Sequence, residues 1–209
     1  NIIREADRLG LMVWSETPVY WAIDWENPGT FANASNQLSE SIARDKNRAA
    51  IVLWSVANET PNLPARDEFL RKLIRRVREL DATRLVTAAM LHNDSNSPPS
   101  PNDIVIDDPL GSELDVLGTN EYLGWYDGLP EKADRTNWKS VYEKPLIMSE
   151  FGGDALAGLH GDDRTRWTEE YQESVYKHQL QMLDRIPFLR GTSPWVLMDF
   201  RSPRRALTG

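Results

Sequence analysis

Residues 51–60, IVLWSVANET, begin apolar, turn polar at Ser55 and end on Asn58, Glu59 and Thr60. An apolar run of this length is a buried strand, and the run of polar groups at its end is where that strand surfaces. A carboxylate and an amide side by side there are costly to bury and disfavoured in strands. Glu59 is therefore either an ordinary strand-end charge or a working group. The rest of the chain decides between the two.

Outward from this strand the pattern repeats. Residues 65–80, ARDEFLRKLIRRVREL, place Phe69, Leu70, Leu73, Ile74, Val77 and Leu80 on one stripe, which predicts an amphipathic helix. Before the strand, residues 33–47 predict a helix with Leu38 and Ile42 inward, and residues 11–16, LMVWSE, a buried strand. Ile2, Ile3, Ala6 and Leu9 recur at helical spacing, with Gly10 where a C-terminal cap belongs. After the helix come RLVTAAM (84–90) and LDVLGTNEY (114–122), both strands, separated by a Pro/Ser/Asn-rich loop, NDSNSPPSPND (93–103). TNWKSVYEK (136–144) predicts a short helix and PLIMSEF (145–151) a strand. Residues 164–186 predict a long helix with Trp167, Tyr171, Val175, Leu180, Leu183 and Ile186 inward, and LRGTSPWVLMDF (189–200) the last strand.

Helix and strand alternate, and the strands are nearly continuous apolar runs. That is the signature of a parallel sheet covered by helices, an α/β fold. Strands near residues 12, 52, 86, 117, 147 and 196 fit either an open doubly wound sheet or most of a (β/α)8 barrel. No Gly-rich phosphate turn follows any strand, which weakens the dinucleotide-binding version. With no linker, repeat or charge block, residues 1–209 are expected to form one domain.

Composition narrows the partners. The net charge of −8 argues against nucleic acid and against an anionic membrane surface. No apolar run reaches transmembrane length. The absence of cysteine excludes disulfides, zinc–thiolate sites and cysteine nucleophiles. No two histidines have metal-ligand spacing and no nucleophile elbow is present, so no metal and no cofactor is expected. Eight tryptophans are many for this length. Indole packs cores, and it also stacks on the apolar face of a sugar ring.

Function in parallel α/β folds gathers at the C-terminal strand tips. Those tips carry Glu16; Asn58 and Glu59; His92 and Asn93; Asn120, Glu121 and Tyr122, then Trp125 and Tyr126; Ser149 and Glu150; and Trp195, then Asp199. Singly, each has a bland explanation. A lone strand-end Glu such as Glu16 is more often a solvated charge or a helix-cap partner. His92 adjoins a polar loop, where a solvent role is commoner. His160 in a loop and His178 on a helix read as structural or exposed. Several carboxylates on one rim are harder to explain by packing. Glu59 and Glu150 form the kind of pair that glycoside hydrolysis needs: one carboxyl protonates the leaving oxygen, and the other attacks the anomeric carbon or activates water. A curved barrel brings two such distant tips face to face better than a flat sheet does.

WSVANET (54–60) resembles the acid/base motif of glycoside hydrolase family 2, the β-galactosidase and β-glucuronidase family. IMSEFGGDALAGLH (147–160) resembles its nucleophile strand, and GTNEYLGWY (118–126) the strand between. WTEEYQ (167–172) and SPWVLMDF (193–200) resemble the segments that follow, most closely in the β-glucuronidase branch. The resemblance implies a retaining exo-glycosidase on a (β/α)8 barrel, with Glu59 as acid/base and Glu150 as nucleophile. It implies that Asn58 binds the sugar 2-hydroxyl, that Tyr122 tunes the nucleophile, and that Asn120, Tyr126 and Trp195 line the sugar subsite. Glu16 and His92 are further candidates for substrate contact. The carboxyl groups are then expected about 5–5.5 Å apart, with the acid/base raised in pKa in the free enzyme. The partner is a β-linked carbohydrate.

Measured against that family, the chain is expected to hold barrel strands three to eight and to lack strands one and two and the accessory β-sandwich domains. In the glucuronidase branch an Asn-x-Lys motif that grips the sugar carboxylate falls just after the last residue here. A chain with two open sheet edges is expected to be inactive by itself and prone to associate. The sugar, a homo-oligomeric parent, and a cytoplasmic versus a periplasmic or secreted location all stay open.

Overall fold

A computed structural model describes residues 2–92 and 102–200. Asn93 and most of the Pro/Ser/Asn-rich loop lie outside the described residues. Six strands form one parallel sheet in the order β1 (Val13–Glu16), β2 (Ile51–Asn58), β3 (Leu85–Met90), β5 (Leu117–Asn120), β7 (Leu146–Glu150) and β8 (Leu189–Thr192). Every adjacent pair is parallel. Strands that neighbour one another in chain order, with helices between them, make an incomplete (β/α)8 barrel rather than a doubly wound sheet, whose order would reverse at a switch point.

The helices sit where the apolar stripes require. Four principal helices are α1 (Ile2–Leu9), α2 (Pro28–Asp45), α3 (Pro64–Leu80) and, later in the chain, α5 (Glu169–Leu183), with the single-turn α4 (Lys132–Arg135) between the last two. Asn27 caps α2, its side chain accepting from the Gly29 N–H, and Pro28 supplies a fitting first residue. Gly10 ends α1 at φ +70°, a left-handed position that glycine adopts without strain. On α3, Phe69, Leu70, Leu73, Ile74 and Val77 are buried against the outer sheet face. There they meet Trp54, Val56, Val86 and Ala88. Truncating one of them, Leu73→Ala, removes buried methyls from a closed layer and costs about 2–5 kcal/mol.

The inner face is different. It is a concavity of about 720 Å³ lined by Met12, Trp14, Leu53, Leu85, Val116 and Ile147 below and by polar strand tips above. Trp14 dominates it. Its ring lies over Gly118, where a Cβ would stand 2.4 Å from the indole. The absent side chain at residue 118 is what lets an indole from β1 reach across to β5.

Three expectations need correction. The last strand is residues 189–192, not a strand centred near 196; Trp195 lies beyond it, after Ser193-Pro194. TNWKSVYEK is not a helix. Asn137–Ser140 is a strand, β6, paired in parallel with β4 (Asp103–Ile106) in a separate two-stranded sheet. Its partner lies 34 residues away at Asp103↔Asn137, so local sequence carries no sign of the pairing. The long helix starts only at Glu169, with Thr168 as its cap, so Trp167 lies outside it at φ +74°; Leu180 faces solvent. Both were expected inward.

Candidate active site

The upper rim of the concavity gathers residues from four strand tips. Glu59 follows β2 directly. Its N–H donates to the Ala89 carbonyl of β3 at 2.8 Å, and its backbone has φ +49°, a left-handed conformation uncommon for a residue with a side chain. Something must hold it there. The next residue, Thr60, is buried, and its hydroxyl accepts from Arg66 Nε at 2.9 Å. Arg66 is fully buried and forks onto Asp108 at 2.8 and 2.7 Å, with Asp67 at 2.8 Å. A bidentate guanidinium–carboxylate pair fixes geometry as well as charge. It ties the start of α3 to the turn before β5, and through Thr60 it anchors the strained residue.

The carboxylate of Glu59 accepts two hydrogen bonds. Asn120 Nδ2, at the tip of β5, donates to Oε1 at 3.0 Å, and Trp21 Nε1 donates to Oε2 at 3.0 Å. The same Asn120 amide donates to Asn58 Oδ1 at 2.9 Å, and its Oδ1 accepts from Ser149 Oγ on β7 at 2.7 Å. Asn120 thus joins the tips of β2, β5 and β7.

Glu150 ends β7. Its Oε2 accepts from the Tyr122 hydroxyl at 2.6 Å, and its backbone carbonyl accepts from the Glu121 N–H at 3.0 Å. Burial pushes its carboxyl up to about 7; the Tyr122 and Asn120 donors pull it back, while the negative charges of Glu59 and Glu16 push it further up. Tyr122 is held far above the ordinary phenol value, first by burial and then by the carboxylate it donates to, so it stays a hydrogen-bond donor.

The other candidates divide. Glu16, at the tip of β1, accepts from Ser55 Oγ at 2.8 Å and Trp14 Nε1 at 3.1 Å, and it lines the concavity. The protein around its carboxyl pushes its pKa up, against those two donors. One side of the group remains wetted at the open face, which tempers the effect. Trp195 also lines the concavity, its N–H donating to the Phe151 carbonyl at 2.8 Å. Tyr126 is exposed and reaches the site through Tyr122, ring edge to face at 5.2 Å. His92 is not loose beside its loop: Nε2 lies 2.6 Å from Glu121 Oε2, and the ring packs on Trp138. His160 and His178 sit against Glu170 and Asp134 at 2.8 and 2.7 Å.

Trp21 and Arg66 were missed as candidates, and Glu121, named at its strand tip, was given no role. Glu121 is buried; it accepts from the Tyr122 N–H at 2.7 Å as well as pairing with His92. The one sequence signal available was the Tyr20-Trp21 pair, two exposed aromatics a few residues past a strand-tip Glu. Among the described residues, no cluster of His, Asp and Glu is arranged to hold a metal ion.

An incomplete parallel barrel with two carboxylates on its rim, each with its own donors, defines the class. Residues 1–202 match the family described as glycosyl hydrolases family 2, TIM barrel domain, and the chain belongs to that family. It is 33% identical over 222 residues to a β-glucuronidase of Paenibacillus borealis, covering 96% of this chain and 35% of that protein. It is 32% identical over 224 residues to the β-glucuronidase of Rattus norvegicus, covering 99% of this chain and 32% of that one. A solved β-glucuronidase of an uncultured Clostridium species superposes with a TM-score of 0.80 at 26% identity, over 98% of this chain and 37% of that one. The chain spans about a third of the length of these relatives.

Proposed function

We propose that residues 1–209 form part of a catalytic barrel, and that the whole protein carrying it is a retaining exo-β-glycosidase that removes terminal β-linked sugars. Glu150 is the nucleophile and Glu59 the acid/base. The carrying observation is that Asn120, through Glu59 and Ser149, joins the two strand tips that bear the rim carboxylates, while each carboxylate keeps a donor of its own, Tyr122 on Glu150 and Trp21 on Glu59. In the first step Glu150 attacks the anomeric carbon as Glu59 protonates the departing oxygen. In the second, Glu59 takes a proton from water, which displaces Glu150. Asn58, Asn120, Tyr126, Trp195, Glu16 and His92 are assigned to substrate contact. The names of the relatives favour a β-glucuronide over a β-galactoside.

A barrel that only binds sugar is the second reading. It has no need of a tyrosine donating at 2.6 Å to a carboxyl that burial raises to about 7, which counts against it. The test is hydrolysis of 4-nitrophenyl β-D-glucuronide and 4-nitrophenyl β-D-galactoside by the whole protein, with the anomeric form of the first product followed by NMR. Turnover with retained configuration is expected. Inverted product overturns the nucleophile assignment, and calorimetric binding without turnover establishes the second reading instead.

A further inference from the structure

The two donors on Glu59 differ in their freedom. Asn120 is buried, and its amide is committed to Asn58, Glu59 and Ser149 together. It cannot turn without breaking that set. Trp21 is 52% exposed, stands at φ +57°, and leans edge-on against Tyr20 at 5.4 Å between ring centres. Its indole N–H points at Glu59 Oε2.

A general acid carries its proton on one oxygen, and a donor aimed at that oxygen meets a neutral hydroxyl. Once the proton leaves, the same donor meets a carboxylate. Hydrogen bonds to an ionised acceptor are roughly twice as strong as neutral ones. Asn120 pins Oε1, so Oε2 is the oxygen placed to carry the proton. The donor that sees charge appear there is Trp21.

We infer that the Trp21 indole N–H is a catalytic hydrogen-bond donor that stabilises the carboxylate formed on Glu59 as its proton passes to the leaving group. This rests on the acid/base role proposed for Glu59. In the step, an electron pair of Glu150 forms the bond to the anomeric carbon. The glycosidic bond breaks with its pair staying on the departing oxygen, which takes the proton from Glu59 Oε2. One negative charge thereby moves from Glu150 to Glu59, where the Trp21 N–H stabilises it. A bond that strengthens only as the transition state is approached raises kcat rather than lowering KM. In the second step Glu59 is the base, and the same donor gives no help.

The dependence on the leaving group separates this role from a structural one. A methyl glycoside needs its departing oxygen protonated, whereas a dinitrophenyl glycoside does not. The test uses the whole protein and these two β-glycosides of whichever sugar it hydrolyses in the assay above. Trp21→Phe keeps an aromatic ring and removes the N–H. Its kcat for the methyl glycoside is expected to fall about tenfold with KM little changed, and for the dinitrophenyl glycoside less than about twofold. Equal losses on both substrates, no loss on either, or a change confined to KM would overturn the assignment. If Trp21→Phe does not fold, a benzothienylalanine at position 21 gives the same answer, since sulfur replaces the N–H in a ring of matching shape. Glu59→Ala is the control. Read in kcat/KM, which reports the first step alone, it must show the same selectivity, more strongly, and if it shows none the acid/base reading itself fails, independently of Trp21.

Discussion

The tips of β2 and β7 present the same functional group in opposite settings. Glu150 is the last residue of its strand, is part-buried, and has its carboxyl raised to about 7, with a phenol donor at 2.6 Å. Glu59 stands one residue past its strand at φ +49°, braced from behind by a buried guanidinium and capped in front by an exposed indole. One carboxyl is positioned by the sheet, the other by the clamp behind a turn. The contrast shows how identical side chains are given different work: strand geometry and burial set the first, and loop partners set the second.

The most direct way to break the comparison is to remove either group. Glu150→Ala and Glu59→Gln in the whole protein are each expected to lower kcat/KM for a methyl β-glycoside of the hydrolysed sugar by at least about 1000-fold. If neither does so, the pairing is wrong. Next in size is the brace. Arg66→Met leaves Asp108 and Asp67 buried without their cation and is expected to cost about 3–5 kcal/mol in urea unfolding. An Arg66→Met, Asp108→Leu double variant should recover part of that loss, because it removes one of the two stranded charges.

Tyr122→Phe should reduce kcat by about 100-fold, a loss of the order seen when one aimed hydrogen-bond donor is deleted. It should also move the acid limb of kcat/KM to higher pH. The phenol lowers the Glu150 carboxyl, so its loss leaves burial and the charge of Glu59 with less to oppose them. A limb that moves the other way would contradict the burial argument. In the native protein that limb belongs to the coupled pair and is expected near the raised value of about 7.

The smallest effect sharpens the contrast through stability. Glu150 binds its proton more tightly folded than unfolded, so between its ordinary value of 4.5 and about 7 the folded state holds the extra proton. Stability from this group is therefore full below pH 4.5 and falls as pH rises through about 7. Glu150→Gln should leave the melting curve unchanged at pH 4 and stabilise the protein at pH 8 by about 1–2 kcal/mol, allowing for screening of a part-exposed group. Chemical unfolding at the two pH values measures it.

Much of this was legible in the sequence, for reasons that differ by region. The outer helix layer followed from spacing: the Phe69–Val77 stripe on α3 is buried as its period requires. Glu59 and Glu150 stood out because a carboxylate closing an apolar strand is expensive unless it works. The β4–β6 sheet and the true end of β8 did not stand out. A four-residue strand draws its stability from a distant partner, and an apolar run such as Trp195–Met198 reads as a strand whether or not a ladder continues beside it. Arg66 and Trp21 were equally hidden. Arg66 resembles a surface charge until folding closes over it, and Trp21 is one tryptophan among eight.

By itself the sequence determined the alternation of helix and strand, the parallel sheet, and the two carboxylates at its tips, because periodicity and the cost of buried charge act locally. Only the tertiary structure decided which oxygen meets which donor. The contacts of Glu59 with Trp21 and Asn120, and of Glu150 with Tyr122, join residues 28 to 61 positions apart. It also decided that burial raises the Glu150 carboxyl, since desolvation depends on everything packed around a group and not on its neighbours in the chain.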